Sequence, residues 1–94
     1  MTAPAQVVLP AVLDLQYAEP LRAELLGLRG RPVVIDASRV ERLGGLCLQV
    51  LISAKASWAV DGTRLDIAPA SDAFAEHWTR FGAAEAAAGQ GDMA

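Results

Sequence analysis

Few residues of this 94-residue chain have the types and spacings that catalysis requires. The chain holds one cysteine, Cys47, and one histidine, His77, and neither has a companion at the spacing of a nucleophilic or metal site. No pair of carboxylates occurs in a motif suited to general acid–base work. The sequence therefore predicts a protein that is not an enzyme, with no catalytic, cofactor-binding or metal-binding residue.

The polar residues of most interest follow a β-branched run, Val33-Val34-Ile35, which ends at Asp36. Ser38 could accept a phosphoryl group or contact a partner, but a Ser at this position more often forms a turn by bonding local backbone. Asp36 could recognise a partner, although an Asp at a strand end more often accepts N–H bonds from the following loop. We favour the turn-forming role for both residues.

Charged residues alternate with apolar ones in the loop that follows. Arg39, Glu41 and Arg42 are interleaved with Val40 and Leu43. Such alternation predicts that Val40 and Leu43 are buried beneath the loop while the three charges stay in water.

Two glycines, Gly44-Gly45, stand at the start of an apolar segment with helical spacing. Free N–H groups there could bind an anion, but a phosphate-binding loop would need more glycines and a Lys. A sharp turn and close approach of a partner's backbone are two further explanations, which we weight equally. Cys47 lies among leucines, which favours a small buried side chain over a redox-active thiol.

The elements alternate along the chain, which predicts an α/β fold with a mixed, mostly parallel sheet and alternating helices. The central run predicts a strand buried on both faces, because none of its residues is polar. The almost wholly apolar first half of the second helix predicts burial on more than one side. Pro69 is expected to end the last strand, and Ser71 to cap the helix after it. The predicted strands cover 6–9, 32–36 and 63–68. The first predicted helix begins near Asp14 or Gln16 and ends before Gly30. The second covers 45–60, and the third runs from Ser71 to Phe81.

Composition excludes several classes of partner. The net charge is −3 and the eight basic residues are dispersed, so neither nucleic acid nor a membrane surface is expected as a ligand. No apolar run approaches the roughly 20 residues that a membrane-spanning helix needs. The lone cysteine and the absence of a signal-peptide pattern predict a cytoplasmic protein. We expect a flexible arm over 1–5, one domain over 6–83 and a flexible tail over 84–94.

These segments together resemble the STAS domain, the fold of anti-sigma-factor antagonists. Residues 35–38 match the family's strand followed by Asp-x-Ser, and residues 44–48 stand where the family has Asp-Ser/Thr-Ser/Ala-Gly-Leu. Residues 12–21 resemble the Glu-Leu-Asp stretch before the first helix, and residues 61–67 the glycine turn and the next strand. The resemblance covers roughly residues 6–83.

The chain departs from the family at the phosphorylation motif. Aligned from Asp36, Gly44 takes the Asp position, Gly45 and Leu46 take the Ser positions, and Cys47 takes the Gly position. No hydroxyl remains there to accept phosphate from an anti-sigma kinase. We therefore expect the usual phosphorylation switch to be absent.

The resemblance implies a non-enzymatic protein–protein interaction module of a bacterial regulatory pathway, in anti-sigma-factor-antagonist-like or chemotaxis-associated signal transduction. Its partner would be another regulatory protein, either an anti-sigma factor or kinase-like protein or a chemotaxis component. An edge strand near residues 7–9 leaves a homodimer open. An alternative is the STAS subunit of a lipid-transport ABC transporter, a type that generally keeps a Thr in the motif. The expected partner-binding residues are Asp36, Ser38, Arg39, Glu41, Arg42, Gly44, Gly45 and Leu46.

Overall fold

The computed structural model of the chain describes residues 3–81. The predicted tail over 84–94 and the first two residues of the predicted arm lie outside this range. The strands are β1 (Ala5–Val8), β2 (Val12–Leu13), β3 (Val33–Ala37), β4 (Arg42–Leu43) and β5 (Leu65–Ala70). The helices are α1 (Leu15–Leu26), α2 (Gly45–Val60) and α3, which is helical over residues 72–81.

The strands form two parallel sheets. The larger sheet has the order β1-β3-β5, and the smaller one pairs β2 with β4. Every strand pair in residues 3–81 is parallel, one helix connects β2 to β3, and another connects β4 to β5. The predicted α/β class with a mostly parallel sheet is therefore confirmed. β1 forms one edge of the larger sheet and β5 the other.

Within residues 3–81, only one face of the larger sheet is fully covered. Val33, Ile35 and Ala37 are buried in the same core as the inward side chains of α1 and α2, whereas Val34 and Asp36, on the opposite face, are half-buried. Val8, which pairs with Asp36, is 47% exposed. The prediction that this strand is buried on both faces was wrong, because three consecutive apolar residues do not distinguish a one-sided from a two-sided strand.

The first helix is shorter than predicted. Asp14 caps its start by accepting a hydrogen bond from the Gln16 N–H at 3.1 Å, and the helix ends at Leu26. Residues 27–30 form tight turns instead of a further helical turn, as in the bond from Leu28 N to Leu25 O. Gly30, expected just past the helix end, lies at the end of these turns with a φ of +85°, which glycine adopts without strain.

The last strand continues through Pro69, contrary to the prediction that Pro69 ends it. β5 pairs with β3 on one side only, and proline, which cannot donate to the ladder, is tolerated in such an edge strand. Ser71 then caps α3 as predicted, because its Oγ accepts the Phe74 N–H at 3.1 Å. Phe74 is buried and stacks on Trp78 with ring centroids 5.7 Å apart.

Helices α1 and α2 run side by side in the same direction. Near their starts, the Cys47 Sγ donates to the Asp14 carbonyl at 3.2 Å; past their ends, Arg29 pairs with Asp61 at 2.9 Å. Trp58, fully buried on α2, donates from Nε1 to the Arg31 carbonyl at 2.7 Å and lies under the Arg29 guanidinium. None of the helices in residues 3–81 is both long and apolar enough to cross a bilayer.

One-sided coverage of the sheet predicts unequal costs for two adjacent truncations. Ile35→Ala removes a completely buried side chain and should lower the free energy of unfolding by about 2–5 kcal/mol. Val34→Ala, on the half-covered face, should cost less than half as much, because the site can be filled by water. Urea unfolding of both variants checks this. Equal losses would contradict the one-sided arrangement.

Candidate functional site

The turn after β3 is closed by Asp36. Its Oδ1 accepts both the Ser38 backbone N–H, at 2.9 Å, and the Ser38 Oγ–H, at 2.6 Å. These bonds lower the pKa of the Asp36 carboxyl, first through the Ser38 hydroxyl, then through the Ser38 N–H, with a smaller contribution from Arg39. Both residues therefore have the local turn-forming contacts that we favoured. A carboxylate with a lowered pKa is a weak base.

Two buried apolar side chains hold the charged loop in place. Val40 is 2% exposed and Leu43 8%, while Arg39, Glu41 and Arg42 are exposed, so the predicted division of the loop is confirmed. Within residues 3–81 none of these three charged side chains forms a salt bridge. The loop thus presents three charges to solvent on a packed apolar base.

Backbone hydrogen bonds fix this loop to the segment before α1, a feature that the sequence did not predict. The Ala11 carbonyl accepts N–H groups from Glu41, at 2.7 Å, and Arg42, at 3.1 Å. The Gly44 N–H donates to the Leu13 carbonyl at 2.8 Å. Because β2 and β4 have two residues each, neither shows an alternation that would reveal a strand.

The two glycines have different surroundings. A Cβ at Gly44 would lie 2.9 Å from the Leu13 carbonyl oxygen, closer than real Cβ contacts allow. A Cβ at Gly45 would meet nothing within 4 Å. The close approach at Gly44 is therefore made by the chain's own backbone, whereas Gly45, the first residue of α2, is open to solvent.

The residues after the glycines point in opposite directions. Leu46 is 53% exposed beside Gly45. Cys47 is fully buried, and burial raises the pKa of its thiol, with the charge of Asp14 adding to the effect. A protonated, enclosed thiol is a poor nucleophile, so Cys47 is a core residue as predicted.

The structure brings the predicted site residues together in two contiguous groups. Asp36 and Ser38 form the bonded turn at the carboxyl end of β3, and Gly44, Gly45 and Leu46 form the start of α2. The exposed charges of the loop lie between these groups along the chain. No direct bond joins the two groups among the described residues, and they are held in place by β4 and the buried loop residues.

A second surface, which the sequence did not predict, is an open groove of about 500 Å³ between α1 and α2. We call it the α1–α2 groove. The structure buries Ala18, Leu21 and Leu25 of α1 and leaves Leu15 and Leu26 exposed. These two further leucines were the signal available in the sequence. The residues that line the groove are Leu15, Ala18, Glu19, Arg22, Leu25, Leu26, Arg29, Leu46, Gln49, Val50, Ser53, Ala54, Ser57 and Trp58.

Comparison with known proteins identifies a family match. A family model described as "Mlab, STAS domain" matches residues 2–88, which is most of the chain. No curated protein and no solved structure matches. Among residues 3–81 no group of three or more His, Cys, Asp or Glu side chains could hold a metal ion.

The contrast between the two glycines predicts opposite effects of the same substitution. Gly44→Ala should lower the free energy of unfolding by about 1–3 kcal/mol, because the new methyl group collides with the Leu13 carbonyl. Gly45→Ala should raise it by up to about 1 kcal/mol, because alanine favours the helix and the space is empty. Urea unfolding provides the measurement. A stabilised Gly44→Ala protein would show that the contact is not tight.

The turn at Asp36 predicts a pH effect. Ser38→Ala should raise the pKa of Asp36 toward its ordinary value of 3.8, because the largest cause of the lowering is lost. Arg39→Gln should raise it less. Since the pKa of the folded form is lowered, the stability that this carboxylate adds is present above pH 3.8 and is lost as the pH falls through the folded value. Carboxyl-carbon NMR titration measures both shifts; an unchanged pKa in Ser38→Ala would refute the assignment.

Proposed function

Because the chain belongs to the STAS domain family, we propose that it is a non-enzymatic protein-binding module of a bacterial regulatory pathway, in anti-sigma-factor-antagonist-like or chemotaxis-associated signalling. STAS domains are generally binding modules without enzyme activity, and they commonly mediate protein–protein interactions. The partner in this proposal is another regulatory protein, met in the cytoplasm.

One observation carries the proposal: the start of α2 is exposed and open to a partner, while the phosphoacceptor of the family pattern is missing. Gly45, in a position where the family has a hydroxyl, is exposed at the start of α2 with open space around it. Leu46, in the next such position, is half-exposed and has no polar atom in its side chain. A partner can still reach this surface, but a phosphoryl group has no oxygen there to which it can transfer.

Ser38 does not replace the missing hydroxyl. Its Oγ–H already donates to Asp36 at 2.6 Å, and this bond favours the ionised carboxylate. A general base at a phosphoacceptor must take up the hydroxyl proton as the oxygen attacks phosphorus. In transfer from a kinase that base belongs to the kinase, so Ser38 would have to give up its hydrogen bond to Asp36 before its oxygen could attack.

Binding alone then carries the signal. The loop is held by the Ala11 and Leu13 carbonyls, so little conformational entropy is lost when a partner docks. The exposed charges Arg39, Glu41 and Arg42 supply specificity and speed the encounter with a partner of complementary charge. The partner's own state, for example its phosphorylation, would set the occupancy of the complex.

A phosphotransfer assay tests the loss of the covalent switch. Incubated with an anti-sigma kinase of the STAS-directed type and labelled ATP, the unmodified protein should remain unlabelled. Gly45→Thr should fold, since its Cβ meets open space, and should restore labelling at position 45. Gly45→Ala is the matched control and should stay unlabelled. Phosphate on Ser38 of the unmodified protein would overturn the proposal.

Charge reversal in the loop tests the binding surface. With the partner that co-purifies from the native cell, Arg39→Glu and Arg42→Glu should each weaken binding, and the loss should shrink at high salt because exposed charges are screened. Arg64→Glu, next to β5, is the control and should leave affinity unchanged. Co-purification with the nucleotide-binding subunit of a transporter would favour the lipid-transport alternative instead.

A further inference from the structure

Exposed leucines are concentrated around the α1–α2 groove. Leu15 is 70% exposed, Leu46 53% and Leu26 49%, and all three line this groove. The other exposed large apolar residues of residues 3–81 are valines that lie outside the groove, namely Val8, Val12 and Val60. Leucines gathered around a single concave surface indicate a binding site more strongly than leucines scattered over a surface.

The composition of α2 gives an independent reason to expect a covering element. Its first half is almost wholly apolar, which predicts burial on more than one side. The structure buries Cys47, Leu48 and Leu51 against the sheet and leaves Leu46 exposed and Val50 half-buried on the groove side. The groove wall is therefore the part of α2 that the sequence predicts to be buried and that the fold leaves open.

We propose that the α1–α2 groove binds an amphipathic helix of the partner protein, and that this helix places an acidic residue against Arg22 and a basic residue against Glu19. The inference rests on the proposed function, because it names how the partner of that binding module docks. Helix-in-groove recognition of this kind uses apolar anchors at i, i+3 or i+4, and i+7.

The shape of the groove fits a helix. Ala18, Ser53, Ala54 and Ser57 are small and let another backbone come close, while leucines stand along the groove. The two walls are helices that run side by side, and α1 has 12 residues, which is about 18 Å at the helical rise of about 1.5 Å per residue. A docked helix of about three turns would fill this length.

Charge complementarity selects the partner and its direction. Glu19 and Arg22, one turn apart on α1, form no salt bridge within residues 3–81. Arg29, the other charged residue of the groove, is already paired with Asp61 by two hydrogen bonds of 2.9 and 3.1 Å. Two charges of opposite sign therefore remain for the occupant, and their order along α1 favours one orientation of a helix that carries an acid and a base.

The groove also adjoins the loop surface. Leu46 lines the groove and is the next residue after Gly45, so one partner can engage both. The partner would contact the loop charges with one segment and fill the groove with its helix.

A displayed peptide library is the probe for the test. We would select binders from a phage-displayed library of 15-residue helical peptides with one randomised face, then map a selected synthetic peptide by NMR. Selected peptides should share an apolar stripe with an acid and a base one turn apart, and the shifted amides should be those of the groove residues. Lack of enrichment, or shifts centred on the sheet, would overturn the inference.

Variants make the test quantitative. Leu26→Arg should weaken the selected peptide at least tenfold, because it places a charge among the apolar contacts of the groove. Val60→Arg, the same change at an exposed apolar residue outside the groove, should have no effect. Arg22→Glu should weaken the peptide, and exchanging the peptide's acid for Lys should restore binding. Circular dichroism checks that each variant folds. Binding that is insensitive to both Leu26→Arg and Arg22→Glu would overturn the inference.

The two proposals fail in different ways. If the native partner is lost on Arg39→Glu but retained on Leu26→Arg, the groove inference is wrong and the loop-based function stands. If the unmodified protein is phosphorylated on Ser38, the proposed function is wrong whatever the groove binds.

Discussion

The contact between the backbones at Gly44 and Leu13 is the constraint on which the candidate site depends. The Gly44 N–H donates to the Leu13 carbonyl at 2.8 Å, and a Cβ at position 44 would lie 2.9 Å from the same oxygen. This contact extends the β2–β4 pairing to the residue that precedes α2, so the loop and the helix start are held as one unit. A side chain at position 44 would collide with the Leu13 carbonyl, so glycine suits this close pairing of β2 and β4.

A site built in this way fits the recognition role that we propose for it. Its hydrogen bonds are mostly between backbone groups, its thiol is buried with a raised pKa, and the Ser38 hydroxyl is engaged in a turn. The exposed groups that remain are charges and leucines. Such groups contribute specificity and apolar contact to a protein interface.

Much of the scaffold could be predicted from sequence, because the strong signals were local. The bounds of α2 followed from its spacing and from the glycines at each end, and the burial of Val40 and Leu43 followed from alternation with charges. Pairings between distant segments were missed, since β2 and β4 are too short to show a period. The α1–α2 groove was missed for a related reason. A helix with apolar residues on more than one side is predicted to pack against a further element. Whether that element belongs to the same chain depends on tertiary packing.

Amide hydrogen exchange at Glu41, Arg42 and Gly44 tests the central claim most directly, namely that the site is a preorganised surface fixed by β2–β4 pairing. If the claim holds, these three N–H groups exchange far more slowly than those of an unstructured loop and nearly as slowly as the amides of β3. Exchange at the rate of an unfolded peptide would show that β2 does not hold the loop. The site would then have to order on binding, which contradicts a preorganised surface.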